Sequence, residues 1–554
     1  MQAVTARCLV WALAAAIVTA GCAPLARSVP ARAALPVTRA ESSGFTETSR
    51  YADASAFLDS LRKLDAPLLL GEIGATAGGR RIPFAIASRP LVRTPGEARA
   101  LRRPVVYVQG NIHGGEVEGK EALLMLLRDL AFEQRSNVLD SLVLIAVPVY
   151  NIDGNEDLGP QARNRPEQNG PAVIGRRPNG AGRDLNRDYI KAEAPETRAS
   201  LAMFNSWAPD VFVDLHTTDG SMHGYALTYS PPLNPASPLG ALARDGWLPA
   251  LRARMLRRHG MHTFDYGNFG TDSTPWQERL IFDTAAVAWT TFDSRPRFST
   301  NYYGLRNGIG ILAEAYSHDP FARRVAVTYA FTRELLSLVA EQGPALAAAR
   351  QAADGSDPTG SMLPIRARHV SNPPIHEVRV EEIERTGDSV VHEAGMRPGL
   401  RRTGRFRGVQ MPAFVSFEPA LSARLPRAYI VSARLEGAVA ALRAHGVQLH
   451  RLDAAAVAAL PRELVREFFV DSVQRSAQPF EGHRQTRVEG SWRSSGSMPA
   501  VGDHLVPLAQ PLGRLAAYLL EPQSDDGLLT WNLYGDVSAG TPLPVLQLLP
   551  AGSP

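Results

Sequence analysis

Cysteine is almost absent from this chain. Two occur in 554 residues, Cys8 and Cys22, both near the N-terminal end. The body of the protein therefore has no disulfide framework and must rely on its core. Lysine is nearly as scarce: Lys63, Lys120 and Lys191 are the only three, so the basic charge is almost all arginine. Those arginines are scattered, with no basic block and no interleaved aromatics, and the net charge of +4 is mild for the length. No nucleic-acid partner is expected, since that needs a clustered basic face. No internal repeat is visible. The apolar run from Cys8 to Ala20 is too short for a transmembrane helix.

What is present is an ordinary globular composition, 45% hydrophobic and 21% charged, in a chain long enough for two or three domains. Arg7, the apolar run and Gly21-Cys22 read as a secretory signal over residues 1–22. Thr19-Ala20-Gly21-Cys22 resembles a bacterial lipobox, with Cys22 as the lipid-modified residue. A plain cleaved signal is the alternative. The expectation is an exported protein of the cell envelope, or a periplasmic or secreted one, touching the membrane only through a lipid at Cys22. Residues 23–50, rich in Ala, Pro, Arg and Ser, read as a tether.

From residue 51 the pattern alternates. Val105–Gln109 and Ser141–Val149 are continuous apolar runs of the kind that form buried strands. Glu118–Leu130 and Val325–Ala340 have helical periodicity, and Asp210–Leu215 and Ile309–Ala313 are further short strands. Strands alternating with helices predict an α/β domain with a mixed central sheet over residues 51–345. Residues 155–183 form a long Gly-, Pro-, Asn- and Arg-rich loop of the sort that carries function. Residues 346–372 read as a linker. Residues 373–554 read as a β-rich accessory domain with one helix, Leu435–His445.

Chemistry-bearing residues stand at the ends of the apolar strands. His113-Gly-Gly-Glu116 follows the first of them, His216 another and Glu314 a third. A catalytic zinc needs three protein ligands and an open position for water, and His113, Glu116 and His216 would supply a two-histidine, one-carboxylate set. Glu314, a carboxylate in an apolar run, could move the water proton. Arg183-Asp-Leu-Asn-Arg187 offers an arginine fork and an amide, which suits a substrate carboxylate.

In this order the elements resemble the zinc carboxypeptidase family (carboxypeptidase A-like) over roughly residues 51–345. His113-Gly-Gly-Glu116 is similar to its H-x-x-E motif, Asn151-Ile-Asp-Gly154 to its N-P-D-G turn, and Asp184-Leu-Asn-Arg187 to its D-x-N-R motif. The resemblance implies a three-layer α/β/α fold and one Zn²⁺ per chain on His113, Glu116 and His216. It implies Glu314 as general base, Asn186 and Arg187 on the substrate's terminal carboxylate, and Asp184 as the partner that orients His113. It also calls for an arginine on the oxyanion. Arg163, Arg165, Arg176 and Arg177 are available, and Arg165 is taken forward. The family's mobile tyrosine has no counterpart at the usual distance from Glu314; Tyr302 and Tyr303 are nearest, and Arg306-Asn307 could add a substrate contact.

The activity this implies is hydrolysis of C-terminal peptide bonds, on peptides or the peptide stems of peptidoglycan. The alternatives are a zinc deacylase or amidase of the same fold acting on N-acyl amino acids, and a non-catalytic envelope binding protein.

Overall fold

The computed structural model describes residues 35–270, 288–371, 375–387, 396 and 398–552. The expected signal and Cys22 lie outside the described residues. Eight strands form the first sheet: β1 (Leu68–Ala75), β2 (Arg81–Ala87), β3 (Val105–Gly110), β4 (Val143–Val147), β5 (Val211–Thr217), β6 (Leu227–Ser230), β7 (Thr263–Asp265) and β8 (Ile309–Ala315). Their spatial order is β1-β2-β4-β3-β5-β8-β6-β7.

The four central strands β4, β3, β5 and β8 are parallel, and every residue in them is buried. Runs such as Val105-Val-Tyr-Val suit such strands because both faces are covered. The flanking strands β1, β2 and β6 pair antiparallel, which makes the sheet mixed. Helices α1 (Tyr51–Lys63), α2 (Glu118–Phe132), α3 (Pro195–Trp207), α4 (Leu248–His259) and α5 (Phe321–Asp354) cover it. Here α2 and α4 both pack on α5, and α3 lies against β1. The register of β5 on β8 sets His216 directly opposite Glu314, joining two residues distant in sequence.

Three stretches read as connectors carry structure. In the first, a turn of helix, Arg39–Ser42, sends Glu41 to Arg128 at 2.8 Å, and Ser49 Oγ donates to the buried Glu121 at 2.8 Å. In the second, α5 continues to Asp354 and a strand begins at Met362, leaving only a short turn. The third, the long loop, holds a two-strand pairing of Gly159–Pro160 with Val173–Ile174 and a helical turn, Gln161–Asn164.

The β-rich remainder opens with β9 (Met362–Val370), β10 (His376–Arg385), β11 (Leu400–Met411) and β12 (Ser416–Arg424), in which β9 pairs with β12 and β10 with β11. A six-stranded sheet follows, made of β13 (Ala428–Val431), β14 (His450–Arg451), β15 (Val465–Arg475), β16 (Thr486–Ser494), β17 (His504–Pro507) and β18 (Pro542–Leu548). The expected helix is present as α6 (Glu436–Ala444), and α7 (Gly513–Leu520) is buried except at Arg514. Beside a small cluster of its own around Ala428, Val465 and Leu548, this region shares its main core with the first sheet. One apolar cluster contains Ile145 and Phe212 of the first sheet together with Tyr429, Phe468 and Trp531.

Glu521 caps α7 and is 3% exposed. It accepts hydrogen bonds from Tyr429, from Gln547 Nε2 at 2.9 Å and from Trp492 Nε1 at 3.4 Å. Burial pushes its carboxyl up to about 7, against the pull of those donors. Below the ordinary Glu range both folded and unfolded chains hold the proton and nothing is lost. As pH rises toward 7 the unfolded chain ionises first, so stability falls, by about 3 kcal/mol in all. Glu521→Gln should remove this fall. Urea denaturation from pH 5 to pH 8 is expected to show wild type losing stability relative to the variant.

Candidate active site

The turn after β3 is built by backbone crowding. A Cβ on Gly114 would lie 2.1 Å from the carbonyl carbon of Gly154, and one on Gly175 would lie 2.5 Å from the carbonyl oxygen of Gly114. These glycines let three chain segments meet. Asn111, at φ 64°, closes the turn from inside. Its amide donates to the carbonyls of His113 and Gly114 at 3.2 Å and of Glu116 at 2.9 Å. Asn151 ties the next loop on, donating to Ile112 O and Arg177 O at 3.1 Å.

The result is a compact donor set. His113 Nδ1 lies 2.8 Å from Glu116 Oε1, and His216 Nδ1 lies 2.9 Å from Glu116 Oε2. Ligand atoms of the three residues all fall within 4.8 Å of one another, and the residues are buried. Each imidazole meets a carboxylate on its other nitrogen. His113 Nε2 is 3.2 Å from Asp184 Oδ1, and His216 Nε2 is 3.2 Å from Asp214 Oδ2. Such a partner fixes ring orientation and leaves Nδ1 for a metal. Asp214 accepts from Ser299 Oγ at 2.5 Å.

Burial alone would raise the Glu116 carboxyl, but His113, Arg165 and His216 hold it well below the usual range. Burial likewise opposes charge on His216, yet Asp214 and Glu116 raise it well above its ordinary value. A site that attracts positive charge to these atoms suits a divalent cation, whose binding displaces such protons. The residues present therefore fit zinc: two imidazoles and a carboxylate, held inward from behind.

Glu314 is 7% exposed, and its Oε2 has no hydrogen-bond partner among the described residues. Burial, with Glu116 and Asp219 nearby, raises its carboxyl well above the usual value despite His216 and Arg165. It lines a small cavity of about 40 Å³ with His113, Glu116 and His216, and with Asn186, Arg187 and Arg177. Asn186 is locked from behind, its Oδ1 accepting from Ser299 N at 2.9 Å, and the Arg187 guanidinium lies 4.2 Å from the Phe298 ring centre.

Arg165 is not among the cavity-lining residues. It is buried behind Glu116, donating to Oε1 at 2.7 Å and to the carbonyls of Thr217 and Thr218. Arg177, another of the four arginines considered, does line the cavity, paired to Asp184 at 2.9 Å and 3.7 Å from Glu116. Tyr302 and Tyr303 lie elsewhere, bound to His445 and to Pro209 O. Among the described residues, the tyrosine lining the cavity is Tyr266, whose hydroxyl donates to Asp219 at 3.3 Å. Arg306 and Asn307 bind the C-terminal region, Arg306 reaching His445 O at 2.8 Å and Asn307 reaching Pro511 O at 2.8 Å.

Asn111, Asp214, Asp219 and Tyr266 were not singled out in the sequence. Asp214 carried a usable signal, a carboxylate two residues before His216 in an apolar strand. Tyr266 carried none.

The C-terminal region also reaches the site. Glu481, at φ 49° in the β15–β16 connection, accepts from Asp184 N at 3.3 Å, and His483 Nε2 lies 2.8 Å from Glu193. Arg297 is buried against Asp526, with its backbone N–H at 2.6 Å and its guanidinium at 2.7 Å, and Trp531 Nε1 adds a third donor at 3.0 Å. The 521–526 and 531–534 stretches are both turns around this pair.

Residues 55–239 match the family model for zinc carboxypeptidase. That stretch holds β1 to β5 and the donors His113, Glu116 and His216. The chain is 23% identical over 537 residues to Carboxypeptidase 2 of Trichophyton rubrum, covering 92% of this chain and 89% of that one. A 142-residue stretch is 30% identical to Probable carboxypeptidase 2 of Trichophyton verrucosum, covering 25% of this chain and 23% of that one. Among solved structures, a metallo-carboxypeptidase from Burkholderia cenocepacia aligns with a TM-score of 0.38 at 16% identity, over 53% of this chain and 70% of that one.

Removing Asp526 would leave Arg297 buried and unpaired, at a cost of about 3–5 kcal/mol. Asp526→Ala is therefore expected to lower the thermal midpoint of the whole chain in a single transition. Calorimetry should show no separate unfolding of the β-rich region.

Proposed function

We propose that this chain is a zinc-dependent carboxypeptidase that releases the last residue of peptides bearing a free C-terminal carboxylate. The observation that supports the reading most is the shared cavity. The metal-donor set, the buried Glu314 carboxylate and two arginines all line one space.

In this reading His113, Glu116 and His216 hold the ion. A bound zinc ion would supply Lewis acidity and bring the pKa of its water toward neutrality. Arg187 and Asn186 take the substrate carboxylate, the guanidinium by paired hydrogen bonds, and so place the last peptide bond beside Glu314. Glu314 accepts the proton of the attacking water and returns it to the leaving amine as the C–N bond breaks. Arg177, facing the same space, is positioned to offset negative charge developing on the carbonyl oxygen. Arg165 neutralises Glu116 from behind.

The wall beyond the donor set is apolar. Tyr266, Phe292, Phe298 and Leu312 form a cluster there with Leu233. Export to the cell envelope, with a lipid at Cys22, belongs to the same proposal. It would expose the enzyme to scavenged peptides and to peptide stems of peptidoglycan.

Two outcomes are expected. Glu314→Gln should lower kcat by about 10²–10⁴-fold with a small change in KM, as loss of a general base does, while the metal content stays that of wild type. Peptides ending in Phe or Leu should be trimmed at least tenfold more efficiently than the same peptides ending in Lys. Mass-spectrometric ladders of C-terminal trimming measure both. Preferential turnover of N-acyl amino acids over dipeptides would favour a deacylase instead.

A further inference from the structure

A second cavity, of about 710 Å³, opens in the C-terminal region. It shares no lining residue with the catalytic cavity. One wall is apolar, with Ile365 from β9 and Leu421 from β12. The opposite wall is polar, although it is the face of a sheet. Register places Tyr429, Gln547 and Arg466 in one cross-strand row over β13, β18 and β15, and Trp492 pairs with Phe468 on the same face of β15 as Arg466. Glu521 descends onto this face from the end of α7 and collects the hydroxyl of Tyr429, the amide of Gln547 and the indole N–H of Trp492.

A packed sheet face is normally apolar, and substituting apolar residues for a buried charged group is often neutral or stabilising. Here an acceptor, an indole and amides from Gln547 and Gln523 border a space in the size range of small-molecule sites. The ionisable groups on the lining are mixed in sign, Glu521 against Arg466 and Arg424, so the cavity does not select an ion of one sign. Among the described residues Glu521 Oε2 receives the 3.4 Å indole contact alone, which leaves acceptor capacity for a ligand hydroxyl. An aromatic ring beside paired amide and carboxyl groups matches a ligand with an apolar ring face and a rim of hydroxyls.

We propose that this cavity is a saccharide-binding site, with Trp492 against the ring and with Glu521 and Gln547 on its hydroxyls. The site is independent of whether the zinc centre cleaves peptides.

The test uses the full chain loaded with zinc, and neutral trisaccharides of glucose and of N-acetylglucosamine as probes. Saturation-transfer NMR and calorimetric titration read the binding. At least one trisaccharide should bind. Glu521→Gln should weaken it at least tenfold, and Leu421→Trp, which fills the cavity without touching its polar wall, should abolish it. Peptide turnover should stay within twofold of wild type in both variants, which also shows that they fold. Absence of binding by every saccharide would overturn the proposal. So would binding that survives Leu421→Trp, or occupancy by a long-chain fatty alcohol in place of any sugar.

Discussion

The catalytic centre depends on three stretches of backbone occupying nearly the same space. Gly114 in the turn after β3, Gly154 in the turn after β4 and Gly175 in the long loop approach so closely that a methyl group on any of them would strike main chain. Because each position meets main-chain atoms, no rotamer change can relieve the crowding. The contact places the His113–Glu116 turn, the loop that carries Arg165 and Arg177, and the Asp184–Arg187 segment in one corner. The parallel pairing of β5 with β8 then brings His216 and Glu314 to that corner at the same level.

Charge is balanced around this scaffold in layers. Glu116 meets both histidines, and Arg165 stands behind it. Asp184 and Asp214 hold the outer imidazole nitrogens. Farther back Glu118 accepts from Thr217, the residue after the third donor, and lies 3.4 Å from the fully buried Arg324 of α5. Buried groups of this kind are costly alone and tolerable as a connected set. Among the described residues Glu314 is the member left without a partner on one oxygen, and that is the property a proton carrier needs.

Much of this was legible in the sequence where chemistry and periodicity coincide. Val105–Gln109 reads as a buried strand because nothing in it is polar enough to face water until Gln109, and the polar residues that follow mark the site. The donor set and the Asp184–Arg187 segment could be read from short local patterns. What could not be read was set by tertiary placement. Arg165 and Arg177 differ little as sequence neighbours of Gly and Pro, and only the fold turns one behind Glu116 and the other into the cavity. Tyr266 reaches the cavity from an edge strand with no motif around it. The connector at 346–372 looked like linker because Ala and Gly dominate it, yet Ala is also the best helix former, and α5 runs through to Asp354. The β-rich region looked separable because its strands are local, whereas its core residues are shared with the first sheet.

The central claim is that His113, Glu116 and His216 hold one zinc ion on which peptide trimming depends. Metal content of the purified chain, measured beside His216→Ala and read with C-terminal trimming of the same samples, tests it most directly. One zinc per chain is predicted in wild type, with both zinc and trimming lost in the variant. Trimming that persists without zinc, or zinc that stays bound at full stoichiometry in His216→Ala, would contradict it.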